Sequence, residues 1–345
     1  MLLVLLAAAF KPSKPAATVS APPDLQLEGG RKLTYERAFS SQFEVKPKRG
    51  FWTRLVDVVA GEPDYHSLIR PYSVVTDSRG RVIVTDPGAL GVHVFDFTNK
   101  KYKFLSRADE MKDPMIAPQC VAVDAQDTIY VTDSEVGKIF VFNANGKYQR
   151  AIGSLKGGEG YFKRPTGIAV DSQAQRIYVT DTLRNRIFIL DMQGSVLETI
   201  GKNGQGEGEF NYPTELRLQG DNLLVVDAMN FRVQVLDRAG KFRFAIGGIG
   251  DSSGNMFRPK GVAMDSEGDL YVVDGLWGMV QVFNQQGELL YYFGSRGTQA
   301  GEFQLPAGLS IDRQDRIFVV DSFNHRVQVY HFYGAGKLSS AGGSQ

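Results

Sequence analysis

Along most of this chain, apolar and polar positions alternate in short runs of four to six residues, each closed by a polar turn. The segment RPTGIAVDSQAQRIYVTDTLRNRIFILDMQGSVLETIG, Arg164 to Gly201, shows four runs rich in Val, Ile, Tyr and Phe, parted by turns such as Asp-Ser-Gln and Met-Gln-Gly. Such runs read as four antiparallel strands. The 3.6-residue period of a helical array is absent.

The same segment is written six times. Its openings are RPYSVVTD, APQCVAVD, RPTGIAVD, YPTELRLQ, RPKGVAMD and LPAGLSID, with Pro71, Pro118, Pro165, Pro213, Pro259 and Pro306 spaced by 47, 47, 48, 46 and 47 residues. A second series, VIVTD, IYVTD, IYVTD, LLVVD, LYVVD and IFVVD, ends at Asp86, Asp133, Asp181, Asp227, Asp274 and Asp321. A proline just before a strand costs no ladder hydrogen bond. Four strands in a repeat of this length make one propeller blade. The expected fold is therefore all-β, a six-bladed β-propeller of four-stranded antiparallel blades.

The sixth repeat carries three strands, up to Val327–Tyr330, and then turns Gly- and Ser-rich. Ahead of the first repeat, Arg54-Leu-Val-Asp-Val-Val-Ala-Gly61 resembles the fourth strands that end at Gly153, Gly201, Gly247 and Gly294. It is the predicted N-terminal strand that closes the last blade and removes an open edge. The propeller is then expected over 54–332, preceded by an extension over 31–53 packed on it and followed by a flexible tail over 333–345.

Residues 1–10, MLLVLLAAAF, are apolar throughout, but as a helix they would rise only about 15 Å, half a bilayer core. They match the hydrophobic part of a secretory signal without its basic flank, or an apolar tail. Residues 11–30 hold four prolines among small and polar residues and read as a disordered Pro/Ala-rich linker. The arrangement predicts an exported protein, periplasmic or associated with the cell envelope, and tied to a membrane only if an N-terminal anchor exists. With 39 basic and 38 acidic residues, no global field exists for DNA. A lone Cys120 offers neither an internal disulfide nor a cysteine metal cluster. No cofactor or metal is called for, and a monomer is expected.

The runs Asp321-Ser-Phe-Asn-His-Arg-Val-Gln-Val-Tyr330, Asp227-Ala-Met-Asn-Phe-Arg-Val-Gln-Val-Leu236 and Asp181-Thr-Leu-Arg-Asn-Arg-Ile-Phe-Ile-Leu190 resemble the NHL repeat. The resemblance spans about residues 54–332 and is specific for fold rather than for function. The region from Arg31 to Pro63, with Val-His-Val-Phe-Asp96, is also similar to bacterial exported six-bladed NHL proteins. Many of those are lipoproteins, whereas this sequence has no cysteine near Met1 to take a lipid.

Residues that recur in every blade serve the blade. The repeated Asp should accept backbone N–H groups in the following turn, and Arg186, Arg232 and Arg326, five residues later, should pin it. His325 belongs to the same structural motif, and His93 sits at the register of Gln234, Gln281 and Gln328, away from the axis. Binding residues are those that differ from blade to blade. The positions after the prolines, Tyr72, Gln119, Thr166, Thr214, Lys260 and Ala307, enter the innermost strands and form the expected rim of the channel mouth. Glu215 and Arg217 replace a Gly and an Ala on an inner strand, where burial demands an internal pair. Cys120 is expected to be small, buried and inert.

Related amidating lyases hold zinc with histidines commonly placed directly after this proline; those six positions contain none here. Lactonase-like propellers use several oxygen ligands around calcium, and Glu215 alone is too few. The expectation is a non-catalytic protein-interaction scaffold with an unidentified protein partner. A metal-dependent lyase or hydrolase at the channel mouth is the alternative. RNA binding is a third reading, which needs a local basic face from Arg164, Arg184, Arg186, Arg232, Arg258, Lys260 and Arg326.

Overall fold

The computed structural model describes residues 21–45, 65–106, 114–154, 160–250 and 252–335. The tail 1–10 and the segment Arg54–Gly61 lie outside them, as does the end of the chain beyond residue 335. Five sheets of four strands and one of five make six blades. Blade three is typical: Pro165–Asp171, Arg176–Asp181, Arg186–Asp191 and Val196–Ile200 pair antiparallel in chain order, from the axis outward. The six first strands face one another around the axis, and the ring closes where Leu309–Ile311 of blade six meets Ser73–Thr76 of blade one.

Because successive side chains on a strand point to opposite faces, a blade held between two neighbours must be apolar on both. Runs such as Ile317-Phe-Val-Val320 are therefore buried without a break. Among the described residues the core is six separate clusters, one between each pair of neighbouring blades. Ile317 and Val319 turn to blade five with Tyr271 and Val282, while Phe318 and Val320 turn to blade one with Val74 and Val84. The Thr of the VTD sequences ties blades together. Thr180 donates from Oγ1 to the Thr214 carbonyl at 3.3 Å, and Thr85 makes the corresponding bond to Gln119. Near the axis the first strands approach so closely that a Cβ on Gly167 would stand 2.6 Å from the Leu216 nitrogen.

The last blade is closed by an N-terminal strand, as expected, but by a different one. Lys32–Phe39 pairs antiparallel with Arg326–Tyr333, setting Leu33 against Phe332, Tyr35 against Tyr330 and Phe39 against Val327. The closing strand is thus Lys32–Phe39 rather than Arg54–Gly61. The glycine that ends the fourth strands of blades two to five misleads here, since Ser40 follows Phe39 and Ser106 follows Leu105. What these strands share instead is a buried last apolar residue: Leu105, Ile152, Ile200, Ile246, Phe293 and Phe39. The linker expected to run to Gly30 also ends early. Leu25–Gln26 adds a fifth strand to blade six, and Leu27 packs on the cluster between blades five and six.

Candidate functional site

Each blade's second strand ends at its repeated Asp on the face where the first strands begin. Those carboxylates do structural work. Asp86 accepts from the N–H groups of Ile69 and Arg70 at 2.6 and 2.9 Å, Asp133 from Ile116 and Ala117 at 2.7 and 3.0 Å, and Asp274 from Phe257 at 2.7 Å. In each case the Asp fixes the backbone that leads into its own blade's proline, upstream of it in the chain. In blades four and six the carboxylate is also held by Asn230 and Arg232, and by Asn324 and Arg326, with Arg Nε at 2.9 and 2.7 Å. The same arginines reach the carbonyls of Glu209 and Glu302 in the preceding inter-blade loops.

Arg186 departs from this pattern. Asp181 pairs with Arg184 at 3.4 Å, and Arg186 Nε donates to the Arg184 carbonyl. Blade three carries Arg184 where blades four and six carry Asn, so the nearer cation takes the carboxylate. His93 replaces the Gln that bonds this Asp elsewhere: its Nε2 lies 3.5 Å from Asp86, and its Nδ1 2.8 Å from the Tyr102 hydroxyl. Burial opposes ionisation of Asp86, but the bonds from His93, Ile69 and Arg70 together hold its carboxyl below the usual range. His325 takes the left-handed conformation, φ 56°, and its Nδ1 meets the Ile69 carbonyl of blade one.

The channel mouth brings together part of the expected rim. Tyr72, Gln119, Thr214 and Lys260 are half-buried around it, and the Lys260 ammonium lies 5.9 Å from the Tyr72 ring. Thr166 is not available there. Its hydroxyl is spent on Thr180 and Thr182 at 3.0 and 2.8 Å, inside the protein. Ala307 is buried.

Below the rim, Glu215 and Arg217 form the internal pair at 2.7 Å. Arg217 also crosses the axis. Its guanidinium donates to the carbonyls of Val121, Val74 and Leu309 at 3.3, 3.1 and 3.4 Å and to Ser73 Oγ at 3.2 Å, joining blade four to blades two, one and six. The other blades have the shorter Val75, Ala122, Ala169, Ala263 and Ser310 at this register, so a single long side chain spans the axis beneath the mouth. The Cys120 thiol donates to Glu215 at 3.2 Å. Burial pushes the thiol well above its usual range, and Glu215 adds to the effect. Burial also raises the Glu215 carboxyl, against the pull of Arg217.

Two registers around the mouth are not read as registers from the sequence, although Arg164 and Arg258 of the first belong to the expected basic face. The residue before each proline is Arg70, Ala117, Arg164, Tyr212, Arg258 and Leu305, so three exposed arginines stand on alternate blades. The alternation is present in the six openings themselves. Two residues after the repeated Asp, four consecutive blades expose an apolar side chain: Leu183 at 45%, Met229 at 53%, Leu276 at 41% and Phe323 at 50%. Of the seven basic residues expected to form a face, Arg232 and Arg326 are consumed by their Asp and loop carbonyls. Arg164, Arg258 and Lys260 remain at the mouth. Such a donor-rich, cationic rim does not fit a bound metal cation, and among the described residues no group of three or more His, Cys, Asp or Glu side chains could hold one.

A comparison with curated proteins found no match. Among solved structures, the chain is similar to a virginiamycin B lyase from Staphylococcus aureus, with 15% identity, 76% of this chain and 94% of that one covered, and a TM-score of 0.55. An auxiliary nutrient binding protein from Bacteroides thetaiotaomicron shares 12% identity over 78% of this chain and 70% of its own, with a TM-score of 0.59. The hydrazine synthase of Kuenenia stuttgartiensis shares 13% over 78% and 97%, with a TM-score of 0.53. At these identities the likeness is one of fold alone. The family model DUF5128, described as a 6-bladed beta-propeller, matches residues 119–177, 169–229 and 258–339, more than half of the sequence, and the chain belongs to that family.

Proposed function

We propose that this propeller is a non-catalytic scaffold of the cell envelope that docks a protein partner on the face where its first strands begin. The observation that carries the reading is the half-ring of Leu183, Met229, Leu276 and Phe323, extended by exposed Trp277, Tyr212 and Leu305. Single exposed apolar residues are ordinary, but a contiguous set at one register marks an interaction surface. Because the set sits on turns held by the Asp network, the surface is presented without an ordering cost on binding.

The Asp–Asn–Arg turn supports reading the repeats as NHL repeats, and the apolar stretch 1–10 with the proline-rich sequence after it supports export. The partner expected here is a protein with an apolar patch and acidic groups, complementary to the basic mouth inside the half-ring.

The test is a Met229→Asp/Phe323→Asp double variant, compared with wild type and with Gln126→Asp on the opposite face, each crosslinked in intact cells and followed by mass spectrometry. Both side chains are exposed, so the melting temperature should hold. Wild type and Gln126→Asp should retain a common partner that the double variant loses. Identical partner sets for all three would remove the assignment of this face.

A further inference from the structure

We propose that the channel mouth is a receptor for a carboxylate, and that it takes the C-terminal carboxylate of a docked polypeptide. The inference uses the docking face above for its surroundings, but it stands on different residues. Arg70, Arg164 and Arg258 project from the rim on blades one, three and five, and Lys260 leans from blade five toward Tyr72 of blade one, past the small Ala307. Among the described residues none of these four cations is in a salt bridge.

The buried acid below them is already matched, since Glu215 lies 2.7 Å from Arg217. Glu135, exposed on blade two, is the acid at the outer register. The repeated aspartates beneath this face are taken up by backbone N–H groups, those of Arg70 and Arg164 among them, and Arg164, Arg258 and Lys260 crowd one another at the mouth, an arrangement that repels itself until an anion enters. Burial and then Arg258 push the Lys260 ammonium down to about 8, in keeping with that crowding.

The remaining groups on the rim are donors too. Tyr72 has a phenol, Gln119 an amide, and Thr214 a hydroxyl whose oxygen is shielded from solvent without a hydrogen-bond partner. An ionised carboxylate only accepts, at up to four positions, and so matches a site made of donors.

Shape narrows the choice. Arg217, fastened to carbonyls of three other blades, stops the axis below the rim. With the axis stopped there, a polypeptide cannot thread the channel, whereas a chain end can meet the rim. The exposed Tyr212, Leu276, Leu305 and Trp277 are then placed to meet the residues just before that end. Capture of a terminal carboxylate by a cluster of donors is an established mode of peptide recognition.

The experiment uses the full chain and an array of random apolar-biased hexapeptides in three forms: free carboxyl ends, amidated ends, and amidated ends with an Asp at the last position. Preferred sequences are then measured by calorimetry. Free acids should bind at least tenfold more tightly than their amides. Arg164→Gln/Arg258→Gln should remove that preference, and Lys260→Met should weaken free-acid binding at least tenfold, without loss of melting temperature in the exposed arginine variant. Equal binding of acids and amides, no retention of any free-end peptide, or equal binding of the amidated Asp series would each overturn the terminal-carboxylate assignment. If acids and amides bind alike but Met229→Asp/Phe323→Asp abolishes both, the docking face stands and the carboxylate receptor does not.

Discussion

Glu215 and Arg217 show how far a single residue can be read from a repeat. Their departure from the Gly-x-Ala of Gly167–Ala169 and Gly261–Ala263 marks them, and burial of two opposite charges on one strand requires a pair. What the sequence does not show is the reach of Arg217 across the axis, because backbone carbonyls leave no trace in residue identity. Removing one member leaves the other buried and uncompensated. Arg217→Ala is expected to cost about 3–5 kcal/mol in urea unfolding, whereas Glu215→Gly/Arg217→Ala, which restores the pattern of blades three and five, should recover most of that loss. Equal destabilisation by both variants would show that the inter-blade bonds, not the unmatched carboxylate, set the cost. Asp265 gives a second prediction at this scale. It accepts from the N–H groups of Glu267 and Asp269 and from the Tyr271 hydroxyl, yet burial pushes its carboxyl up to about 6. The folded chain then holds this proton more tightly than the unfolded one, in which the group titrates near 4. The stability it contributes is complete below about pH 4 and is lost as pH rises through about 6. Asp265→Asn keeps the acceptor for the backbone and removes the ionisation. It should be about 1–3 kcal/mol more stable than wild type at pH 7.5 and show no gain at pH 4. A gain that is the same at both values would rule out titration of Asp265 as its source.

Among elements, the first three strands of each blade were legible because they are buried on both faces and carry unbroken apolar runs. Of the fourth strands, those ending near Gly153, Gly201, Gly247 and Gly294 were legible, and the one that closes blade six was not. Val196–Ile200 is largely exposed, Lys101–Leu105 alternates exposed and half-buried residues, and Lys32–Phe39 is mostly half-buried; what the three share is the buried apolar residue that ends them. Arg54–Gly61 looked more like a strand than Lys32–Phe39 because it carries more valine, but propensity says little about a half-solvated edge. The closing strand holds by Leu33 and Phe39 in two neighbouring clusters, by edge-to-face contacts of Phe39 with Phe95 and Phe97, and by Glu36 on His331 at 3.0 Å, at the bulge between Tyr35 and Arg37. Phe39→Ala should therefore cost about 3–5 kcal/mol, as for a large aromatic lost from a core. Guanidinium unfolding checks this. A cost below about 1 kcal/mol would mean that Lys32–Phe39 does not close the ring in solution.

For the whole molecule, a chain with nearly balanced charge gains its recognition properties from placement rather than from total. Six inter-blade clusters fix six copies of one turn around an axis, so a feature repeated in the turns becomes a ring on one face, and a feature that varies becomes a sector of it. The apolar half-ring and the arginines on alternate blades both arise this way. The same arithmetic decides between a protein partner and RNA. With Arg232 and Arg326 bound to their aspartates, the mouth offers Arg70, Arg164, Arg258 and Lys260 as a compact group rather than a track along a strand. Four phosphate contacts on single-stranded RNA give a log–log salt slope of about −2.8, a loss of roughly fifty-fold between 50 and 200 mM salt. Binding carried by so few contacts should be immeasurable at 150 mM. Fluorescence anisotropy with a labelled twelve-nucleotide RNA at several salt concentrations measures both quantities. Submicromolar binding at 150 mM, with a slope steeper than about −5, would require more cations than this face presents and would move the function of the propeller to RNA. Weak binding that vanishes with salt, together with partner capture that survives it, would follow from an apolar half-ring around a small basic mouth.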